Sequence, residues 1–184
     1  GAKVSDKLEA IANLVKISDK IIVGGGMAFT FLKSLGIEVG SSLVEADLIG
    51  KAQDVIRTVS HSGVKFYLPV DCVIAQKKEQ SAVTKNVPIQ EMIANWMGLD
   101  IGPASIRLFS EVLSDARTIV WNGPMGVFEI DAFSRGTYAV ARMLADSHAM
   151  TIVGGGDTDV AIQRTGESDN ISYISTGGGA FLEL

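Results

Sequence analysis

Nine of the chain's twenty glycines stand in three triplets, Gly24-Gly25-Gly26, Gly154-Gly155-Gly156 and Gly177-Gly178-Gly179. Glycine lets backbone approach a ligand closely, and the N–H groups at the start of a following helix attract negative charge. Several such corners along one edge would make an anion-binding rim. A single triplet reads first as an ordinary loop, because glycine is the default wherever φ is positive; three in the same context favour a ligand. Lys3 and Lys7 stand four apart. On one face of a helix capped at Ser5 they could point at a common anion, although two lysines on a helix also make a plain solvated face. A cation at the positive end of a helix dipole is mildly unfavourable unless an anion is present. Asp157, directly after Gly156, either caps the next helix or holds a magnesium ion, and spacing does not separate the two. Glu129, in a turn-rich segment, either hydrogen-bonds a sugar or faces water.

Other reactive side chains carry less. His61 and His148 are isolated and outside any metal-ligand spacing. Cys72, between Val70-Asp71 and Val73-Ile74, reads as a buried strand residue. Trp96 and Met97 read as packing or as the wall of an apolar pocket.

The elements that must position these residues follow from the runs around them. Ile21 to Val23, Thr151 to Val153 and Ile171 to Thr176 each lead into a glycine triplet. Thr118 to Trp121 leads into Asn122-Gly123-Pro124-Met125-Gly126, and Lys65 to Val70 supplies a fifth run. Between them, apolar spacing near 3.6 predicts helices over Lys7 to Lys16, Ala28 to Ser34, Ala46 to Ser60, Pro103 to Leu113, Phe133 to Leu144 and Asp157 to Arg164. Gly36 is the expected stop of the second. Five apolar runs alternating with helices predict an α/β protein with a mostly parallel sheet and helices on both faces. Ligands of such sheets bind beyond the carboxyl ends of the strands, where every triplet falls. The polar stretch Gln76 to Asn86 is expected to be a long surface loop.

Composition narrows the partners. The chain is 47% hydrophobic and 20% charged, which excludes a disordered segment. Sixteen basic against twenty-one acidic residues give a net charge of −5, so no overall basic field serves nucleic acid or an anionic membrane, and an anionic ligand must be held locally. The apolar stretch Ile21 to Leu32 is far shorter than the roughly 20 residues of a membrane span. One cysteine gives no intramolecular disulfide, and the cytoplasm is the expected compartment. An opening Gly1-Ala2-Lys3 without methionine reads as a processed product or, in preference, as a piece of a longer chain.

The dinucleotide fingerprint G-x-G-x-x-G is absent, since the triplets continue as Met27-Ala28-Phe29, Asp157-Thr158-Asp159 and Ala180-Phe181-Leu182; Gly50-Lys51-Ala52 fails the phosphate-loop signature. A nicotinamide-dependent dehydrogenase is thereby disfavoured. Six segments in order resemble the C-terminal, nucleotide-binding half of phosphoglycerate kinases: Gly1 to Lys7, Gly24 to Leu32, Leu68 to Asp71, Trp121 to Glu129, Gly154 to Thr158 and Ser175 to Ala180. The resemblance runs the length of the chain. It implies one three-layer, Rossmann-like domain over residues 1–184, monomeric, that binds MgADP or MgATP for phosphoryl transfer with 1,3-bisphosphoglycerate in glycolysis. By the same likeness Lys3 meets the transferring phosphoryl group and Lys7 reaches the nucleotide phosphates, while Asp157 holds magnesium and Thr158 neighbours the phosphates. Gly155, Gly156, Gly177 and Gly178 are backbone donors to phosphate oxygens. Gly25, Gly26, Leu43, Gly98 and Leu99 form the adenine slot. Asn122, Pro124, Val127 and Glu129 surround base and ribose, and Gly1 and Ala2 border the same site. Tyr173 and Asp159 depart from the family pattern, which expects a histidine and a small residue there. The partner half, with its basic phosphoglycerate site, lies outside the sequence, so the expectation is a chain that binds nucleotide without turning over alone. A noncatalytic nucleotide-sensing or partner-binding module on the same scaffold is the alternative.

Overall fold

The computed structural model describes residues 2–177 and 182; Gly1, Gly178 and Gly179 lie outside the described residues. The strands are β1 (Lys20–Ile22), β2 (Lys65–Tyr67), β3 (Asp71–Ala75), β4 (Thr84–Pro88), β5 (Met97–Ile101), β6 (Thr118–Asn122), β7 (Met150–Gly154) and β8 (Tyr173–Ser175). The helices are α1 (Leu8–Leu14), α2 (Met27–Ser34), α3 (Ile49–Ser62), α4 (Pro103–Leu113), α5 (Arg135–Asp146) and α6 (Gly156–Thr165). No described helix is long and apolar enough to cross a membrane.

All five apolar runs form strands, and all pair in parallel: β1 with β2, and β6 with β7 with β8. Helices flank these sheets. Ile119, Trp121 and Val153 from β6 and β7 share a core with Phe109 of α4, Val140 and Leu144 of α5 and Ile162 of α6. Ile21 of β1 shares a second core with Ile11 of α1, Phe31 of α2 and Ala52 of α3. Helix α2 serves two cores, since Phe29 and Leu32 pack instead with Cys72 and Ile74 of β3. Only Lys33 escapes burial along it, as expected of a helix apolar on every side. Its chain stops at Gly36, φ +82°, as the sequence suggested.

The sequence did not suggest the third sheet. Strand β3 lies between β4 and β5 and runs antiparallel to both. It corrects the expected loop over Gln76 to Asn86, whose last residues from Thr84 onward belong to β4. That strand is exposed along nearly its whole length; its polar residues and closing proline suit an edge.

Two buried carboxylates lock this sheet to helices. Asp71 accepts the Ala104 and Ser105 N–H groups, both at 2.8 Å, and the Ser105 hydroxyl at 2.5 Å, covering donors that α4 leaves open at its start. Asp100 accepts the Gly136 N–H, in the first turn of α5, at 2.9 Å.

The start of the chain also differs from expectation. Helix α1 begins at Leu8 with Lys7 in the capping position and no side-chain cap. Val4, fully buried, anchors a preceding turn in which the Lys7 and Leu8 N–H groups both bond Val4 O. Ser5 therefore caps nothing; its N–H reaches Glu45 Oε1 at 3.3 Å. Lys3 and Lys7 do not share a helix face, because Lys3 precedes the turn.

Candidate functional site

The glycine corners and strand ends meet along one edge. Lys7 Nζ donates to Asn122 Oδ1, and Asn122 Nδ2 donates to Gly154 O at 2.9 Å. Asn122 thus joins the end of β6 to the end of β7 and to the lysine. The Gly123 N–H donates to Thr158 Oγ1 at 2.8 Å, bringing in the first turn of α6. Gly155 sits at φ +97°, left-handed backbone that favours glycine. A Cβ there would stand 3.2 Å from Asn122 Nδ2. Its N–H bonds Ser175 O at 3.1 Å, and the Gly177 N–H reaches Ser175 Oγ at 3.3 Å, so the second and third corners adjoin. A Cβ on Gly156 would meet nothing within 4 Å, which leaves the start of α6 open.

Beside this rim lies a cleft of about 460 Å³. Ala2, Gly25, Gly26, Leu43, Gly98, Leu99, Pro124, Val127, Glu129 and Asp157 line it, ten of the residues singled out from the sequence. Gly98 lies on the Phe29 ring so closely that a Cβ would collide with it. The Gly98 N–H is held by Ser42 Oγ at 2.9 Å. The segment 123–127 crosses as a strap: the Val127 N–H bonds Leu99 O at 2.9 Å, and Gly126 lies against Asp100 and Leu99. Gly26 passes between Ala2 O and Leu43 Cδ2. Leu43 is half exposed, an apolar side chain offered to whatever enters.

Lys3, Lys7, Asn122, Gly155, Gly156, Thr158 and Gly177 do not line the cleft. Lys7, Asn122, Gly155 and Thr158 form the rim network, Gly177 joins it through Ser175, and Gly156 lies between Gly155 and cleft-lining Asp157. Lys3 is exposed and follows cleft-lining Ala2. Asp157 lies in the first turn of α6 and makes no side-chain cap bond, so the capping reading of this residue has no support here. Trp96 does not wall the cleft; it packs against the core around Phe29 and Val39, with Lys85 Nζ 4.9 Å over its ring. Met97 lines the cleft.

Sequence reasoning missed Phe29, Ser41, Lys78, Asp100 and Met125, all cleft residues. Asp100 had a signal, a carboxylate inside the apolar run Leu99 to Ile101. Lys78 had none, being one of several exposed polar residues in its stretch.

Burial governs the charges. It lowers the Lys7 ammonium pKa, against a weaker pull from Asp6. It raises the Asp100 carboxyl to about 7, opposed by backbone hydrogen bonds from Gly136 and Ile101. It pushes the Cys72 thiol up to about 12, helped by the charges of Asp71 and Asp100, so Cys72 is the buried, unreactive strand residue expected. His61 and His148 are exposed. No cluster of three or more metal-ligating side chains occurs among the described residues. Asp157 is a single exposed carboxylate without a side-chain partner among them, a donor set that suits a hard cation bringing phosphate oxygens and waters of its own.

Parallel strands flanked by helices, with bare backbone gathered at their carboxyl ends, define the class of open α/β proteins that hold ligands at that edge. The family model for phosphoglycerate kinase matches residues 1–184, and the chain belongs to that family. It is 62% identical over its whole length to a phosphoglycerate kinase of Citrifermentans bemidjiense, of which it covers 46%. It is 57% identical to one of Campylobacter hominis, covering 45%. The solved structure of phosphoglycerate kinase from Coxiella burnetii matches all of this chain at a TM-score of 0.96 and 43% identity, over 48% of that chain. The one from Pyrococcus horikoshii matches at 0.77 and 31%, over 46%. The chain thus spans about half the length of the relatives it matches.

Proposed function

We propose that residues 1–184 are one nucleotide-binding domain that seats MgADP or MgATP, the adenine in the cleft and the phosphates along the rim. The reading is carried by the continuity of an apolar cleft with a glycine-cornered rim that holds the half-buried Lys7. In it, Phe29, Gly98, Leu99, Leu43 and Val127 enclose the base, and Glu129 stands by the ribose. Lys7 and the Gly156 N–H meet phosphate oxygens with Thr158 as their neighbour, Gly155 and Gly177 shape the corner with their own N–H groups turned to Ser175, and Asp157 attends the nucleotide's magnesium. Bound magnesium would neutralise phosphate charge during transfer.

In the whole protein this domain serves phosphoryl transfer between 1,3-bisphosphoglycerate and ADP. Such transfer depends on positioning and on cancelling charge at the equatorial oxygens, which oriented N–H groups and a lysine supply. Lys3, exposed beside the cleft, is the group that meets the transferring phosphoryl. The acyl-phosphate site belongs to the other half of the relatives' length, so the 184-residue chain binds nucleotide but does not turn over by itself.

Calorimetric titration of the chain with MgADP should give saturable heat; no heat and no chemical-shift change at millimolar ligand overturns the reading. Asp157→Asn should weaken MgADP binding at least roughly tenfold, as removal of metal-supporting groups does, and leave metal-free ADP binding unchanged. Equal loss in both would remove magnesium from this residue's role. In a protein carrying both halves, Lys3→Ala should cost roughly a hundredfold or more in kcat with nucleotide binding intact. Unchanged turnover would favour a noncatalytic nucleotide-binding module instead.

A further inference from the structure

Asp100 is the fourth of the five residues of β5, between Leu99 and Ile101, and lines the cleft while being only 3% exposed. Its Oδ2 accepts the Gly136 N–H and its Oδ1 the Ile101 N–H, both at 2.9 Å. One carboxyl thereby ties the cleft wall to the first turn of α5. Two glycines make room for it: a Cβ on Gly126 would stand 2.5 Å from Oδ1, and one on Gly136 would also strike it. Gly126 belongs to the strap, which Leu99 O holds through Val127. Wall, strap and α5 therefore meet at this one group.

No cation answers it. None of the ion pairs among the described residues includes Asp100, and Val73 is its partner across the β3–β5 pairing. The ionisable groups on the surrounding elements are Asp71 and Cys72 on β3, Glu129 and Asp131 after the strap, and Arg135, Tyr138, Arg142 and Asp146 on α5. Glu129, Asp131 and Arg135 are exposed, and Cys72 feels the Asp100 charge. Lys78 lines the same cleft from an exposed position.

We propose that Asp100 is a positioning residue for the slot, whose proton sets how wall, strap and α5 close around a flat apolar ring. The proposal rests on the adenine reading given above. A ring seated on the wall removes the last water from Asp100, which disfavours the carboxylate, so ring binding and proton uptake favour each other. Ring affinity is then highest with the proton on and falls as pH rises through neutrality, the range in which burial has set this carboxyl.

Adenosine is the probe, because unlike ADP it has no phosphate titrating near pH 6. Its affinity should fall by on the order of threefold between about pH 6 and about pH 8.5, the change that a half-unit rise in the carboxyl pKa on binding would give. In Asp100→Asn the affinity should be flat across that range. Because Asn sets an NH2 against one of the two backbone donors and can destabilise the fold, the native protein supplies a second measurement. Carbon-13 NMR of the Asp100 carboxyl should give a midpoint near neutrality that rises with adenosine, and the Gly126, Val127 and Gly136 amide shifts should follow the same midpoint without ligand. Amides that ignore the carboxyl's titration, or adenosine binding that is independent of pH in the native protein, overturn the proposal and leave the nucleotide reading standing. Absence of adenosine binding at every pH overturns both.

Discussion

The two sides of the cleft are built by opposite means. The rim is made of backbone: strand ends, positive-φ glycine and helix N–H groups, with Lys7 as the cation fixed to it by Asn122. The slot is made of side chains, with Phe29 below Gly98, Leu43 at the mouth and Val127 on the strap. Parallel sheets supply the first and the antiparallel sheet the second, α2 lying between them with residues in both cores. A rim of N–H groups accepts any anion of suitable size, whereas a slot fitted to a ring selects by shape. The division implies that charge attraction and ring selectivity are separable here by single substitutions.

The sharpest break is Gly98→Val. Its Cβ collides with the Phe29 ring, so adenosine and ADP binding should both fall below detection at millimolar ligand. Overpacking should also cost about 1–3 kcal/mol in denaturant unfolding. Retained ADP binding in this variant would mean that the rim suffices alone.

Next is the slot's own titration. A carboxyl raised to about 7 keeps its proton in the folded protein at pH values where the unfolded chain has lost it. Its contribution to stability is therefore complete below about pH 4 and disappears as pH rises to about 7. The loss is at most about 4 kcal/mol. Denaturant midpoints across that range should decline in the native chain and decline less in Asp100→Asn; parallel curves would place the titration elsewhere.

Lys7→Ala tests the rim. Losing one hydrogen-bonded cation should cost ADP about 2 kcal/mol of affinity and leave adenosine untouched. With the Lys7 pKa lowered by burial, native ADP affinity should also fall on the alkaline side earlier than a free lysine would allow. If adenosine weakens equally in the variant, the two sides are not independent. The smallest effect is expected at Cys72. With its thiol at about 12, a thiol reagent at pH 8 should label it only as fast as the protein unfolds.

The same division decides what could be read from sequence. Four of the five parallel strands are apolar runs that stop at glycine or at Asn122-Gly123, and the fifth, β2, stops at Pro69, so strands and corners were legible. The antiparallel strands, apart from the buried Cys72 of β3, break these cues. Strand β4 is exposed, charged and closed by Pro88; β5 carries Gly98 and Asp100 in its interior; β3 opens with the buried Asp71. Each departure has a tertiary reason, whether an edge, a ring beneath a glycine or a helix start needing an acceptor, and none of these is local. The failed Ser5 cap has the same origin, because burying Val4 fixes the turn that Ser5 would otherwise have opened.

The choice of an amide rather than a carboxylate as partner for Lys7 has an outcome at the scale of the whole molecule. Asn122 orients the ammonium without neutralising it, and Asp6 is exposed and outside ion-pair distance among the described residues. A chain of net charge −5 therefore repels anions at long range yet keeps a held positive group at the end of β6. A polyanion that comes within reach of that point meets an attraction opposed to the sign of the whole chain, so the end of β6 gives its approach a direction.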